Sequence, residues 1–215
     1  MQTIAVIDYG MGNVRSVMRA LEFVSEGRDK IILTAQADEI RRADRIVFPG
    51  QGAAADCMQA IEERDLREVI IETTDTRPFL GICMGMQVLM SESDENNGVT
   101  CLDVYPGKVR YFGKPLVDCE GHSLKVPQMG WNRVIQNNKH PLWAGIANKS
   151  WFYFVHSYYV ETSDERLVSG VCDYGILFTA AIARDNVFAM QCHPEKSADS
   201  GLKLLSNFIQ WDGQS

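Results

Sequence analysis

Apolar residues in the first ninety positions fall into short unbroken runs, separated by stretches in which they recur every three or four places. Thr3-Ile4-Ala5-Val6-Ile7 is one such run, as expected of a central strand buried on both faces. Val14, Val17, Met18, Leu21 and Val24 then follow at helical spacing, with Asn13 placed to cap the helix and Gly27 to end it. Lys30 to Thr34 reads as a second strand, Ala37 to Ala43 as a short helix and Arg45 to Phe48 as a third strand. A helical stretch from Ala53 to Thr73 carries Met58, Ile61, Leu66, Val69 and Ile70. Phe79, Leu80 and Ile82 form a fourth buried strand, and Met86, Val88, Leu89 and Met90 open a helix that runs out near Glu92. Strands alternating with helices predict a doubly wound sheet.

After the polar loop 94–98 the period changes. Short β-branched and aromatic runs at 108–112, 131–135, 151–160, 167–172, 178–183 and 187–192 are joined by polar or Gly-containing turns, the pattern of antiparallel strands. Ser197 to Trp211 closes the chain as a helix, with Leu202, Leu205, Phe208 and Ile209 on one face. No repeat, low-complexity stretch or linker divides the 215 residues. The expectation is one α/β domain over 1–215, an open, mostly parallel sheet flanked by helices, with additional antiparallel strands in the C-terminal half.

Charge narrows the class of partner. Lys and Arg number 21 against 28 Asp and Glu, a net charge of −7, which argues against nucleic acid. No apolar run approaches membrane-spanning length, and the N-terminus lacks a secretory pattern, so no membrane is expected. The six cysteines, at 57, 83, 101, 119, 172 and 192, include no C-x-x-C pair, which fits a reducing cytoplasm with most thiols buried. The histidines are dispersed and no metal-ligand spacing is present, so neither a metal nor a cofactor is expected.

Three glycine-bearing strand ends carry the candidate chemistry. In Gly81-Ile82-Cys83-Met84-Gly85 the glycines flank Cys83 at two residues on either side, the cysteine version of a nucleophile elbow. The turn from strand to helix strains the nucleophile's backbone, and the helix N-terminus favours thiolate. The same stretch also fits a buried structural cysteine. Pro49-Gly50-Gln51-Gly52 ends the third strand, where free N–H groups suit half of an oxyanion hole, although a plain Gly-rich turn fits too. Asp8-Tyr9-Gly10-Met11-Gly12-Asn13 is not a dinucleotide fingerprint, because its third glycine would fall at Arg15.

A cysteine nucleophile needs a base and a group that orients the base. Of the four histidines, His122 and His140 lie in polar, turn-like surroundings and read as surface residues. His193 ends the run 187–192, and in an extended His193-Pro194-Glu195 the imidazole and carboxylate share a face. The expected triad is therefore Cys83, His193 and Glu195.

These motifs resemble the triad-type, class I glutamine amidotransferases. More narrowly, the chain is similar to the glutaminase subunits of imidazole glycerol phosphate synthase, of histidine biosynthesis. The likeness runs nearly end to end and includes residues 8–13, Lys125-Val126-Pro127, Met129-Gly130-Trp131-Asn132, residues 152–158, Phe178-Thr179-Ala180-Ala181 and residues 193–197. It implies hydrolysis of L-glutamine at Cys83, with the oxyanion held by the Met84 N–H and an N–H of the 50–52 loop, assigned to Gly52. It further implies that Gln87, Glu95, Ser157 and Tyr158 hold the amino-acid end of glutamine. Ammonia would pass to a (β/α)₈-barrel synthase that makes imidazole glycerol phosphate and an aminoimidazole carboxamide ribotide. Asn13, Gln128, Trp131 and Lys196 map to the partner-facing side, though each also fits ordinary core or surface. Three positions depart from the family pattern: Gln51 stands for a valine, Gln128 for a histidine, and Cys192 for a phenylalanine, as a core substitution facing away from Cys83. The alternatives are a paralogous glutaminase feeding another synthase, a weakly active partner-binding subunit, or a cysteine hydrolase of another substrate.

Overall fold

A computed structural model describes residues 1–113, 115–118 and 120–214; Cys119 lies outside the described residues. The N-terminal half contains β1 (Thr3–Ile7), α1 (Val14–Ser25), β2 (Lys30–Thr34), α2 (Ala37–Arg42), β3 (Arg45–Gly50), α3 (Ala54–Glu62), α4 (Arg67–Thr76), β4 (Phe79–Cys83) and α5 (Met84–Gln87). The remaining strands are β5 (Met90–Ser93), β6 (Val99–Thr100), β7 (Tyr105–Tyr111), β8 (Leu116–Val117), β9 (Ser123–Leu124), β10 (Gln128–Gln136), β11 (Ser150–His156), β12 (Tyr158–Thr162), β13 (Val168–Asp173), β14 (Leu177–Arg184) and β15 (Val187–Met190), followed by α6 (Ala198–Gln210). The main sheet runs β2-β1-β3-β4-β15-β14-β12-β7-β5-β6, and β13 joins β10 and β11 to it. Its first five strands are parallel, and β15 is the last to join β4 in parallel before β14 reverses direction.

Side-chain alternation sorts the core onto the two faces of this sheet even though the central strands are buried on both. Ile4, Val6, Leu80, Phe188 and Met190 pack on one face with Val17 and Leu21 of α1 and Leu204, Leu205 and Phe208 of α6. Ala5, Ile7, Phe79 and Ala189 face the other way, against Ile40, Met58, Ile61, Val69 and Ile70 of α2, α3 and α4. Cys192 is fully buried, and the five described cysteines are free thiols.

Four expectations need correction. The stretch 53–73 is two helices, because Asp65 takes a left-handed φ of +52° and Leu66 N–H bonds back to the Ile61 carbonyl, closing α3. The helix after Cys83 is one turn, and Met90–Ser93 is a strand paired with β6 and β7. Met86, Val88, Leu89 and Met90 are all fully buried, so no amphipathic period was available to separate helix from strand. Asn13 occupies the N-cap position without capping an N–H; its Oδ1 accepts from the Ser16 hydroxyl at 3.0 Å. His122 is exposed as expected, but His140 is 5% exposed, packed on Phe188 and Trp211 at ring separations of 4.9 and 5.0 Å.

Burial pushes the imidazoles of His140 and His156 down to about 4, from 6.5 in the unfolded chain. Between these values the unfolded state binds protons that the folded state refuses, so stability falls as pH drops from 6.5 toward 4. The slope is up to roughly 1.4 kcal/mol per pH unit for each histidine, and above pH 6.5 neither contributes. Urea unfolding at a series of acidic pH values measures it. A His140→Phe variant is expected to show a shallower slope than the wild type, and parallel slopes would contradict the assignment.

Candidate active site

β4 gives way to α5 between Cys83 and Met84, and the strain falls on Cys83, with φ +56° and ψ −108°. Contacts explain the glycines on either side. A Cβ on Gly85 would run into the Phe48 carbonyl oxygen, and one on Gly81 would lie 2.8 Å from the Ala189 Cβ and the Gly85 carbonyl oxygen. Only hydrogen fits at either place, so the chain turns as tightly as an elbow requires.

Parallel pairing gathers the other groups. In the β3–β4 register Gly50 lies opposite Cys83, which sets the 50–52 loop beside the nucleophile. In the β15–β4 register Met190 lies opposite Ile82, so the chain leaves β15 beside the elbow and reaches His193 there. The site therefore stands at the carboxyl ends of adjacent parallel strands, the usual ligand position in an open α/β sheet.

His193 Nδ1–H donates to Glu195 Oε1 at 2.9 Å, and its buried Nε2 has no hydrogen-bond partner among the described residues. The two residues meet by a different backbone route from the extended one expected: Pro194–Lys196 is a 3₁₀ turn. Proline's fixed φ suits the first position of a helical turn as well as a strand. Lys196 N–H closes the turn on the His193 carbonyl at 3.0 Å, and the Ser197 hydroxyl donates to the same carbonyl at 2.6 Å. Burial lowers the His193 pKa, but Cys83, by charge and hydrogen bond, and then Glu195 outweigh it, and the net value rises to about 10. Both neighbours therefore favour the protonated ring, the form that can give a proton to a leaving group.

A cavity of ≈ 550 Å³ opens above the elbow. Cys83, His193, Met84 and Gly52 line it, and so do Gln87, Glu95, Ser157 and Tyr158. Glu195 stands behind His193, its side chain 1% exposed. Glu95 is held in place by the Ala54 N–H at the start of α3, which donates to Oε2 at 2.6 Å. Gln87 donates through Nε2 to the Tyr158 carbonyl at 3.0 Å. The 10–12 loop also lines the cavity and packs on the third-strand loop, where a Cβ on Gly12 would lie 3.3 Å from Gly50 Cα.

Other thiols do not compete with Cys83. Burial pushes Cys57 and Cys101 up to about 11 and Cys172 to about 12, and raises Cys192 well above the ordinary thiol value. Such buried thiols are inert. Among the described residues no three His, Cys, Asp or Glu side chains form a metal-binding group, and no helix is long and apolar enough to cross a membrane.

The four residues expected at a partner interface do not behave alike. Trp131 is half exposed and meets the Tyr153 ring edge-on at 6.1 Å, while the Lys196 ammonium sits 5.8 Å above that same ring. With Met129, 66% exposed, they form one apolar patch with a cationic edge. Asn13 is half-buried. Gln128 is 3% exposed, and its side-chain amide lies 2.9 Å from His156 Nε2, so it presents nothing to a partner. The sequence reading also missed Gln191, which lies fully buried beside Cys83. A lone amide in the otherwise apolar run 187–192 was the available signal.

A family model described as "Glutamine amidotransferase class-I" matches residues 5–211, and the chain belongs to that family. Solved structures agree on the fold. A glutamine amidotransferase superposes with a TM-score of 0.72 at 14% identity, covering 96% of this chain and 97% of its own, and one from Thermotoga maritima gives 0.65 at 14%, covering 100% and 99%. Within the family, the chain is 53% identical over 214 residues to imidazole glycerol phosphate synthase subunit HisH 1 of Pseudomonas aeruginosa, spanning 100% of this chain and 99% of the relative. It is 54% identical over 211 residues to the HisH subunit of Dechloromonas aromatica, spanning 98% and 97%. Full-length similarity at this level places it with the HisH subunits, as a glutamine-hydrolysing amidotransferase.

Proposed function

We propose that the chain releases ammonia from L-glutamine through Cys83, His193 and Glu195 and delivers it to a (β/α)₈-barrel synthase, as one subunit of imidazole glycerol phosphate synthase. The observation that carries this reading is the strained Cys83 in one cavity with a His193 ring anchored on the buried Glu195 carboxyl group. The Cys83 sulfur attacks the side-chain amide carbon of glutamine, and the carbonyl oxygen takes the negative charge. The Met84 and Gly52 N–H groups stabilise that charge. His193 gives its Nε2 proton to the departing nitrogen, the C–N bond breaks and ammonia leaves a γ-glutamyl thioester. His193, now neutral, takes a proton from water as the water attacks the thioester, and glutamate and the thiolate are released. Glu195 keeps the ring oriented in both halves. Gln87, Glu95 and the backbone at Ser157 and Tyr158 hold the amino-acid end, where the Glu95 carboxylate suits an ammonium group. Work in the cytoplasm fits the chain's free thiols.

The patch of Met129, Trp131, Tyr153 and Lys196 is the proposed contact with the synthase. Exposed aromatic and methionine side chains with a cationic edge have the composition of an interface core. Glutamate release is the test, for the chain alone and then with the barrel synthase of the same organism and its ribonucleotide ligand. A rise of about a hundredfold or more on adding both is expected, equivalent to roughly 2.7 kcal/mol of barrel-induced transition-state stabilisation. An equally high rate without the synthase would point to Gln51 or its neighbours, at the loop beside Cys83, having released the dependence on a partner. No turnover by a folded protein in any mixture would reject the proposal.

A further inference from the structure

Cys83 has a second polar neighbour that the triad does not use. Gln191 is fully buried, and its Nε2 lies 3.6 Å from the Cys83 sulfur. A chain of bonds fixes which way its amide points. The Tyr158 carbonyl can only accept, so Gln87 must turn its Nε2 toward it, at 3.0 Å. The second N–H of that group donates to Gln191 Oε1 at 2.9 Å, which leaves Gln191 Nε2 as the donor facing sulfur. An amide N–H cannot accept a proton or a hydrogen bond. It therefore favours the sulfur as an anion, the far better acceptor, over the neutral thiol.

We propose that Gln191 is a positioning residue for the reaction: it holds the Cys83 thiolate and ties it to the Gln87–Tyr158 wall of the substrate cavity. The inference rests on Cys83 being the nucleophile. Gln191 then approaches the sulfur as a donor at 3.6 Å, while His193 lines the same cavity. Once the thioester forms, the sulfur no longer carries charge and the Gln191 bond weakens. Its contribution is confined to the free thiolate. The link to Gln87 gives the wall that touches substrate a direct line to the reacting atom, with no backbone shift required.

The full-length chain, with its synthase, serves for the test. Gln191→Met keeps the length and removes the donor, and Gln191→Glu keeps the shape and turns an acceptor toward sulfur. Iodoacetamide alkylation of the Cys83 peptide is followed by mass spectrometry across pH, alongside kcat and KM. In Gln191→Met, alkylation near neutral pH is expected to slow about tenfold and to recover in strong alkali, the size of one charge-assisted hydrogen bond. Gln191→Glu is expected to slow it more, and in both variants kcat falls with alkylation while KM moves less than about threefold. Folded variants that lose turnover with an unchanged alkylation profile would make Gln191 a packing residue, and so would variants that behave as wild type. If one variant fails to fold, the other decides. A wild-type Cys83 that alkylates like a free thiol, with no turnover, would instead overturn its role as nucleophile.

Discussion

Cys83→Ala is expected to lower kcat/KM for glutamine hydrolysis by at least about 10⁴-fold while the protein stays folded, because the covalent route disappears with the sulfur. Three features make this more than a restatement of the triad. The substitution removes one heavy atom and keeps the Cβ, so alanine meets the same strain at φ +56° as cysteine does. Stability should change by no more than about 1 kcal/mol, the scale of one buried group. No neighbour can substitute either, since burial raises Cys57, Cys101, Cys172 and Cys192 well above the range in which a thiolate forms at neutral pH. Glutamate release and thermal unfolding, measured on the same preparation, separate lost chemistry from lost structure. A folded Cys83→Ala protein within tenfold of wild type would remove Cys83 from the mechanism.

The elbow was legible in the sequence for the reason the structure makes plain. Turning a strand into a helix in one step leaves no room for a Cβ at Gly81 or Gly85, so steric necessity writes itself as glycine spacing. The parallel strands β1, β3 and β4 were legible because burial on both faces demands unbroken apolar runs. That same burial hid the end of α5, where Met86, Val88, Leu89 and Met90 are apolar whether the backbone is helix, turn or strand. Asp65 hid the break between α3 and α4, since an aspartate in a left-handed conformation lacks the warning that glycine gives. His140 looked like a surface group in one dimension, and Gln128 was left open between a partner-facing place, core and surface. Their partners, Phe188 and Trp211 for one and His156 for the other, are distant in sequence and meet them only across the fold. The cavity-lining residues 87, 95, 157 and 158 came from resemblance to a family, and their gathering around Cys83 depends on the strand order β4-β15-β14-β12, which periodicity does not encode.

The second large effect is expected at Glu195. Glu195→Gln should cost about 10³- to 10⁴-fold in kcat with KM changed far less, the scale seen when the acid of a nucleophile–histidine–acid triad loses its charge. The carboxylate is buried, with Oε1 on His193 Nδ1, and Oε2 has no hydrogen-bond partner among the described residues. Among the described residues, the one hydrogen bond to its carboxyl oxygens is therefore the one from the His193 ring. The neutral amide leaves the ring in place but no longer helps hold the His193 value near 10, so the ring gives up its proton at lower pH and its tautomer is no longer fixed. The sign follows. A group whose pKa is raised in the folded protein keeps its proton below the raised value and loses it above, so wild-type turnover is expected to persist into alkali before the ammonia-releasing proton is gone. In Glu195→Gln the alkaline limb should move toward neutrality, on top of the fall in kcat. A profile of kcat against pH measures both. A variant with kcat within tenfold of wild type and an unmoved alkaline limb would mean that His193 is oriented by the 3₁₀ turn and its Ser197 bond alone, leaving Glu195 no part in the chemistry.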